Sequence, residues 1–171
     1  MIVLLRLLKA IFLAPFRRRI DVLGEAVIAM RVWPNDLDLN MHMNSGRYLS
    51  MNDIGRVEML ARLGVLRKAG RRGWRPVAGG VMIRYRRSLL LFQRFTVRSR
   101  VLCWDEKWFY FSHVIERGGE LMTQAYTRTL LLGPHGKVRP DDVLDLLGRR
   151  GMPSPPMPEV IARWIEAEAE A

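Results

Sequence analysis

The sequence predicts an α+β domain in which an antiparallel β-sheet wraps one long central helix. Two observations predict it. One segment of helical period begins at Asn44 or Ser45 and runs to about Leu66. Four runs suited to strands follow it, joined by short turns, and one extended run precedes it.

The first extended run is Asp21 to Trp33, where Val22, Val27, Ile28, Met30 and Val32 suit a strand with partial alternation toward its end. In the helix, Leu49, Ile54, Val57, Leu60 or Ala61, and Leu63 recur near the helical period, and Asn44 or Ser45 supplies the cap. Gly55 costs that helix about 1 kcal/mol relative to alanine and suggests close contact with another backbone. A basic connector, Lys68 to Arg75, leads to the strand runs Val77 to Leu91, Phe92 to Trp104, Lys107 to Arg117 and Glu120 to Leu132. Turns at Asp105-Glu106 and Gly118-Gly119 make the later ones antiparallel neighbours. Arg84, Arg86, Arg98 and Arg100 alternate with Ile83, Tyr85, Val97 and Val101, so one sheet face is expected to be arginine-rich and wet. Asp141 to Leu147 and Pro158 to Ala169 read as short helices, separated by the Pro-rich stretch Pro153 to Pro158.

Composition narrows the classes. A chain of 171 residues with 49% hydrophobic content is one domain with a real core. One cysteine, Cys103, and three histidines offer neither an internal disulfide nor zinc-type spacing, so no metal or cofactor is expected. A net charge of +11 attracts polyanions: nucleic acid, anionic lipid or a phosphate-bearing ligand. No nucleic-acid motif accompanies that charge and the arginines are dispersed, which places nucleic acid last.

Three segments are expected: an amphipathic N-terminal segment over 1–20, the main domain over 21–150, and a linker with a C-terminal helix over 151–171. Met1 to Phe16 is apolar apart from Arg6 and Lys9 and is followed by Arg17, Arg18 and Arg19. It is too short for a comfortable membrane span. With Arg6 and Lys9 on one helix face and Leu4, Leu5, Leu8, Ile11 and Phe12 turned away, it reads as an interfacial helix on an anionic membrane surface. The charges follow the apolar run, unlike those of a signal peptide, so a cytoplasmic, peripheral location is expected. Packing on the protein's own body is the competing reading.

The stretch from Pro34 to Tyr48 crowds Asp36, Asp38, His42 and the asparagines Asn35, Asn40 and Asn44 between strand and helix. Such residues also make ordinary turns and caps. Asp38, His42, Asn44 and Tyr48, in the pattern Asp-Leu-Asp-Leu-Asn-Met-His-Met-Asn followed by Tyr48, resemble the hotdog-fold acyl thioesterases. The Asp38-to-Tyr48 spacing is similar to the 4-hydroxybenzoyl-CoA thioesterase branch, and Asp38-x-Asn40-x-His42 resembles the motif of plant acyl-ACP thioesterases. The run Ile83 to Leu89, with Phe92-Gln93-Arg94 and Trp104-Asp105, is more similar still to the thioesterase-superfamily-member-six type and its bacterial relatives, which also begin with a hydrophobic segment. The resemblance covers roughly Val22 to Leu132.

This resemblance implies a hotdog fold, a homodimer or homotetramer with acyl sites at the subunit interface, and hydrolysis of acyl-CoA or acyl-ACP to free acid and thiol. Thioester hydrolysis needs a nucleophile or base and a donor for the developing oxyanion. Asp38 suits the first role, directly or through water. The backbone N–H of Ser45, with Gly46 beside it, suits the second at the positive end of the helix. In the plant-type reading Asn40 and His42 orient substrate and share proton transfer. Asn44, Gly46, Arg47 and Tyr48 are expected to line the substrate site, Asn44 doubling as cap and Tyr48 as a packing residue. The plant enzymes carry a glutamate and a cysteine where this chain has Ser88 and Leu89, so their mechanism does not transfer whole. Other hotdog enzymes place their acid on the central helix, which makes Asp53 the second candidate and leaves Glu58 a surface or salt-bridged residue. Arg47 and Arg71 to Arg75 are the first candidates for gripping coenzyme A phosphates. The alternative function is a hotdog protein that binds acyl-CoA or lipid without hydrolysing it.

Overall fold

The computed structural model describes residues 2–169. Met1, Glu170 and Ala171, the outermost residues of the expected terminal segments, lie outside the described residues.

Among the described residues six strands form one antiparallel sheet: β1 (Glu25–Arg31), β2 (Arg75–Tyr85), β3 (Arg94–Trp104), β4 (Phe109–Arg117), β5 (Glu120–Gly133) and β6 (Gly136–Val138). Their order is β1-β3-β4-β5-β2, with β6 added to β5. The two turns expected from sequence are read from local chemistry. Gly118 and Gly119 both have positive φ, 58° and 82°, as a tight two-residue turn requires. At the other, the Asp105 carboxylate accepts the N–H groups of Lys107 and Trp108, each at 2.7 Å.

Helix α2 (Ser45–Arg62) lies in the concave face of this sheet, about 27 Å long at 1.5 Å per residue. It buries Met51, Ile54, Met59 and Leu60 against Val97, Val101 and Ile115 of the sheet. At Gly55 a Cβ would stand 2.6 Å from Ser99 Oγ and 2.9 Å from Val97 Cγ1. The close contact expected there is real, but it is with β3 side chains and not with backbone.

Several boundaries differ from expectation, the first strand spanning Glu25–Arg31 within the expected Asp21 to Trp33. The central helix stops at Arg62 because Gly64 adopts φ +79°, and the chain restarts as α3 (Val65–Gly70); glycine enters this left-handed conformation without the steric cost of a Cβ. β2 ends at Tyr85, and residues 86–91 form a loop that turns inward, burying Leu89 completely.

The N-terminal helix α1 (Ile2–Leu13) packs on α2 through Leu7 and Ala10. Its outer side exposes Leu4, Leu5, Leu8, Ile11 and Phe12, followed by Phe16. The apolar residues do turn one way, but Arg6 does not share the wet face of Lys9. It points inward onto a buried carboxylate, because an ion pair there offsets the cost of burying the guanidinium. No helix among the described residues is long and apolar enough to cross a membrane.

The chain closes with α4 (Pro140–Leu146) and α5 (Glu159–Ala169). Helix α5 lies on the outer sheet face, packing Ile161, Trp164 and Ile165 near Cys103 and Tyr110. Arg128 stands over the rings of Trp108 and Trp164, 5.0 and 5.7 Å from their centroids, and pairs with Glu168. The expected wet arginine face is therefore partly covered. Arg84, Arg86 and Arg100 are exposed, whereas Arg98 is paired with Glu25.

Candidate active site

The polar stretch is not an open loop. Pro34–Asp36 makes one 3-10 turn, and Leu37 then bridges Met43 to form a miniature hairpin. The Asp38 N–H donates to the His42 carbonyl at 2.8 Å. The Met43 N–H donates to the Leu89 carbonyl at 2.8 Å, and His42 bridges Leu90, so the inward 86–91 loop holds the hairpin from one side. The tip turns at Met41, a non-glycine residue with φ 61°.

Asp38, half-buried, faces this tip. Its Oδ1 accepts the N–H of Asn40 at 2.9 Å and of His42 at 3.3 Å, the geometry of an Asx turn. Its Oδ2 has no hydrogen-bond partner among the described residues. One oxygen orients the carboxylate while the other is free. The side chains of Asn40 and His42 are exposed and neither is bonded to Asp38, so the fold brings their backbone, not their side chains, to the carboxylate.

The start of α2 follows directly. Asn44 caps it, its Oδ1 accepting the Gly46 N–H at 2.9 Å, and the Asn44 carbonyl takes the Arg47 N–H at 2.9 Å. Gly46 is thereby removed as an oxyanion donor, a correction to its expected place beside Ser45. The Ser45 N–H has no acceptor among the described residues, and it carries the positive end of the helix.

Tyr48 is buried one turn on. Its hydroxyl oxygen accepts the Leu89 N–H at 2.8 Å, and its ring meets Tyr85 edge-on at 5.5 Å. The Tyr85 hydroxyl donates to the Ser45 carbonyl at 3.1 Å. Burial pushes the Tyr48 phenol above its ordinary range, with the charges of Tyr85 and Asp38 adding to the rise and the Leu89 N–H opposing it. Tyr48 is therefore a neutral wall of the site near Asp38. Arg47 is half-buried and donates to the Asn35 carbonyl at 3.2 Å, bracing the start of the loop. Arg71, Arg72 and Arg75 are exposed at the opposite end of α2 and β2 from Tyr85 and Ser45, so within one chain they do not approach the hairpin.

Asp53 is 61% exposed and pairs with Arg56 at 2.7 Å. Of its two expected places Glu58 takes the salt-bridged one and not the surface: it is fully buried, its Oε1 accepting from Arg17 at 2.9 Å and Arg62 at 3.5 Å. Leu89, where the plant enzymes place chemistry, seals the wall with its side chain and both backbone groups. His113 is entirely buried, its Nδ1 2.9 Å from Ser99 Oγ and its Nε2 3.1 Å from Thr127 Oγ1. Burial, reinforced by the charge of Arg56, pushes its pKa down to about 3. Cys103 is buried too, and burial with the Asp105 charge raises its thiol to about 11. Neither group presents reactive chemistry at neutral pH. Among the described residues no cluster of His, Cys, Asp or Glu could hold a metal ion.

Sequence reasoning missed Asp36 and Arg6. Asp36 is 1% exposed and receives the Trp33 N–H at 2.9 Å together with the Arg6 guanidinium. The available signal was a lone arginine within an apolar helix.

The model of the thioesterase-like superfamily matches residues 32–165. Protein THEM6 of Xenopus laevis is 34% identical over 148 residues, 85% of this chain and 70% of that protein. A 1,4-dihydroxy-2-naphthoyl-CoA thioesterase from Synechocystis superposes with a TM-score of 0.64 at 13% identity, covering 72% of this chain and 95% of its own. The Staphylococcus aureus protein SAV2348, solved in complex with CoA, gives a TM-score of 0.64 at 15% identity, covering 84% and 95%. These solved structures share the hotdog fold with this chain.

Proposed function

The chain belongs to the thioesterase-like superfamily and is a thioester hydrolase, and from that premise we propose that it cleaves acyl-CoA thioesters with Asp38 and the Ser45 N–H as its reactive pair. One observation carries the reading. A carboxylate with one oxygen held and one free lies a few residues before a helix whose first amide has no acceptor among the described residues.

The chemistry follows from those two groups. The thioester carbonyl oxygen, turned toward the Ser45 N–H, gains negative charge as its carbon becomes tetrahedral, and the helix end favours that charge. The free Asp38 oxygen delivers the attacking oxygen, its own or that of a water it deprotonates. The tetrahedral centre then collapses and expels the thiolate, which takes up a proton as the free thiol. Attack by Asp38 itself leaves a mixed anhydride for water to open, whereas attack by water yields the acid at once. Single turnover in ¹⁸O-water detects an anhydride that water opens at the Asp38 carbonyl carbon, because the product then carries the carboxylate's own unlabelled oxygen and Asp38 keeps the label, whereas direct attack of water on the thioester labels the product at once. Asp53 is the second candidate for the acid, and Tyr48 and Arg47 shape the wall around the acyl carbon. The coenzyme A chemistry of the structural neighbours supports the CoA thioester over other acyl carriers.

The partners are part of the proposal. β2 pairs only with β5 among the described residues, leaving the outer edge from Arg75 to Tyr85 open, with Val77 and Val81 exposed. An open edge of this length is a template for a second copy, and we assign it to a homodimer. The exposed outer face of α1 and the neighbouring Arg18 and Arg19 suit peripheral contact with an anionic bilayer.

The test is thiol release from short, long and aromatic acyl-CoA substrates, with Asp38→Asn beside the native protein. Asparagine keeps an oxygen for the Asn40 and His42 N–H groups and removes only the charge. Turnover is expected to fall about 10²- to 10⁴-fold. An Asp38→Asn protein as active as the native one overturns the assignment.

A further inference from the structure

From the inner face of α1, beside the apolar contacts of Leu7 and Ala10, Arg6 reaches the base of the candidate site. The Arg6 guanidinium forks onto Asp36, Nη1 donating to Oδ1 at 3.0 Å and Nη2 to Oδ2 at 2.7 Å. Nη2 also donates to the Arg31 carbonyl at 2.8 Å, and Nη1 lies 3.4 Å from Met51 Sδ. The two side chains are 12% and 1% exposed. Asp36 itself accepts the Trp33 N–H at 2.9 Å, and its carbonyl accepts the N–H of the helix cap Asn44 at 2.8 Å. One guanidinium therefore joins the end of β1, both roots of the 37–43 hairpin and the second turn of α2. The hairpin carries Asp38, and the cap fixes the first amide of α2.

We propose that Arg6 is a positioning residue for the reaction, holding the Asp38 hairpin and the Ser45 amide in register from outside the hairpin. This rests on the Asp38 reading above. The energetic reason lies in the geometry. A buried carboxylate with one backbone tie keeps its place only while its charge is matched, and a planar bidentate fork matches it in one orientation. Without the fork, Asp36 draws in water, and the two hairpin roots lose their common anchor. Asp38 and Ser45 then drift relative to each other, and a displacement of about 1 Å at reacting groups costs of order 100-fold in rate. On this proposal α1 contributes to the site's geometry as well as to any surface it touches.

The experiment uses the full chain with Arg6→Gln, Arg6→Lys and Asp36→Asn. Each is assayed for kcat and KM on acyl-CoA, and for amide hydrogen exchange resolved along the chain. Arg6→Gln is expected to lower kcat roughly 10- to 100-fold while KM moves less than about threefold. The bonded amides of Asp38, Met43 and Asn44 should exchange at least about tenfold faster, while those of β4 and β5 are unchanged. Arg6→Lys, which keeps the charge and loses the fork, should recover part of kcat. If Arg6→Gln does not fold, Asp36→Asn gives the same readings with a neutral acceptor still available to Trp33. A folded variant with unaltered kcat, or with exchange in residues 36–46 as in the native protein, overturns the proposal. Loss of the Asp38 reading shows instead as full activity in Asp38→Asn, and the exchange measurement still reports on Arg6 in that case.

Discussion

His113 makes the protein acid-labile in a way that can be calculated. It is buried as a neutral ring between β3, α2 and β5, with Ser99 and Thr127 on its nitrogens and the Arg56 cation nearby, itself paired to Asp53. In the folded state its pKa is about 3, against an ordinary value of 6.5. A group whose folded pKa is depressed in this way stabilises the fold fully above the unfolded value and loses that contribution as pH falls toward the folded one. Between pH 6.5 and 5.0 the unfolded chain takes up a proton that the folded chain refuses, at about 1.4 kcal/mol per pH unit. The loss by pH 5.0 is therefore about 2 kcal/mol, or a fall in Tm of roughly 4 to 8 °C for a chain of this size. Carboxylates add their own pH dependence, so the measurement compares native protein with His113→Gln, in which only this term is removed. Thermal unfolding at pH 7.5 and 5.0 should show a Tm shift larger in the native protein by that amount. Equal shifts in the two proteins would mean that His113 is hydrated or charged in the fold, and would refute the reasoning.

Two further outcomes are expected. Tyr48→Phe removes the acceptor of the buried Leu89 N–H and should cost about 1–3 kcal/mol, read as a lower Tm; an unchanged Tm would show that water or another group takes the bond. Glu58→Gln leaves the Arg17 and Arg62 guanidinium groups facing a neutral acceptor and should destabilise by about 3 kcal/mol, while kcat per folded molecule stays within about twofold. A loss of kcat comparable to that of Asp38→Asn would give Glu58 a chemical role.

Where local signals and tertiary packing agreed, the sequence was sufficient. The β4–β5 hairpin was legible because two adjacent glycines leave few other conformations, and the helix start because Asn44 both caps and precedes an apolar period. The end of the same helix was misplaced because the apolar period continues through Leu66, and only the positive φ of Gly64 breaks it. The site divides in the same way. Asp38 and the helix amides beyond it were legible as candidates through the Asp38-to-Tyr48 spacing, which resembles that of the hotdog thioesterases. That Gly46 is spent on the cap while Ser45 is not depends on the rotation of one side chain, which spacing does not encode. The spacing of Arg6 and Lys9 places both on the polar face of an interfacial helix. The inward turn of Arg6 depends on Asp36, 30 residues away, and such a long-range pairing leaves no local trace.

The strand order carries a consequence for how the chain is made. β1 pairs with β3 and β2 with β5, so Glu25 meets Arg100, 75 residues later (100 − 25), and Arg75 meets Leu132, 57 later (132 − 75). During synthesis from the N-terminus, α1, β1 and α2 emerge with their apolar faces and no sheet to receive them. The β3–β4–β5 meander, joined by two tight turns, can assemble locally as soon as it is exposed. β1 and the central helix find a partner once β3 is exposed, whereas β2 waits for β5. A ribosome-bound chain ending before β5 is therefore left with β2 unpaired, and protection of β2 amides should arise abruptly once the nascent chain passes Gly133.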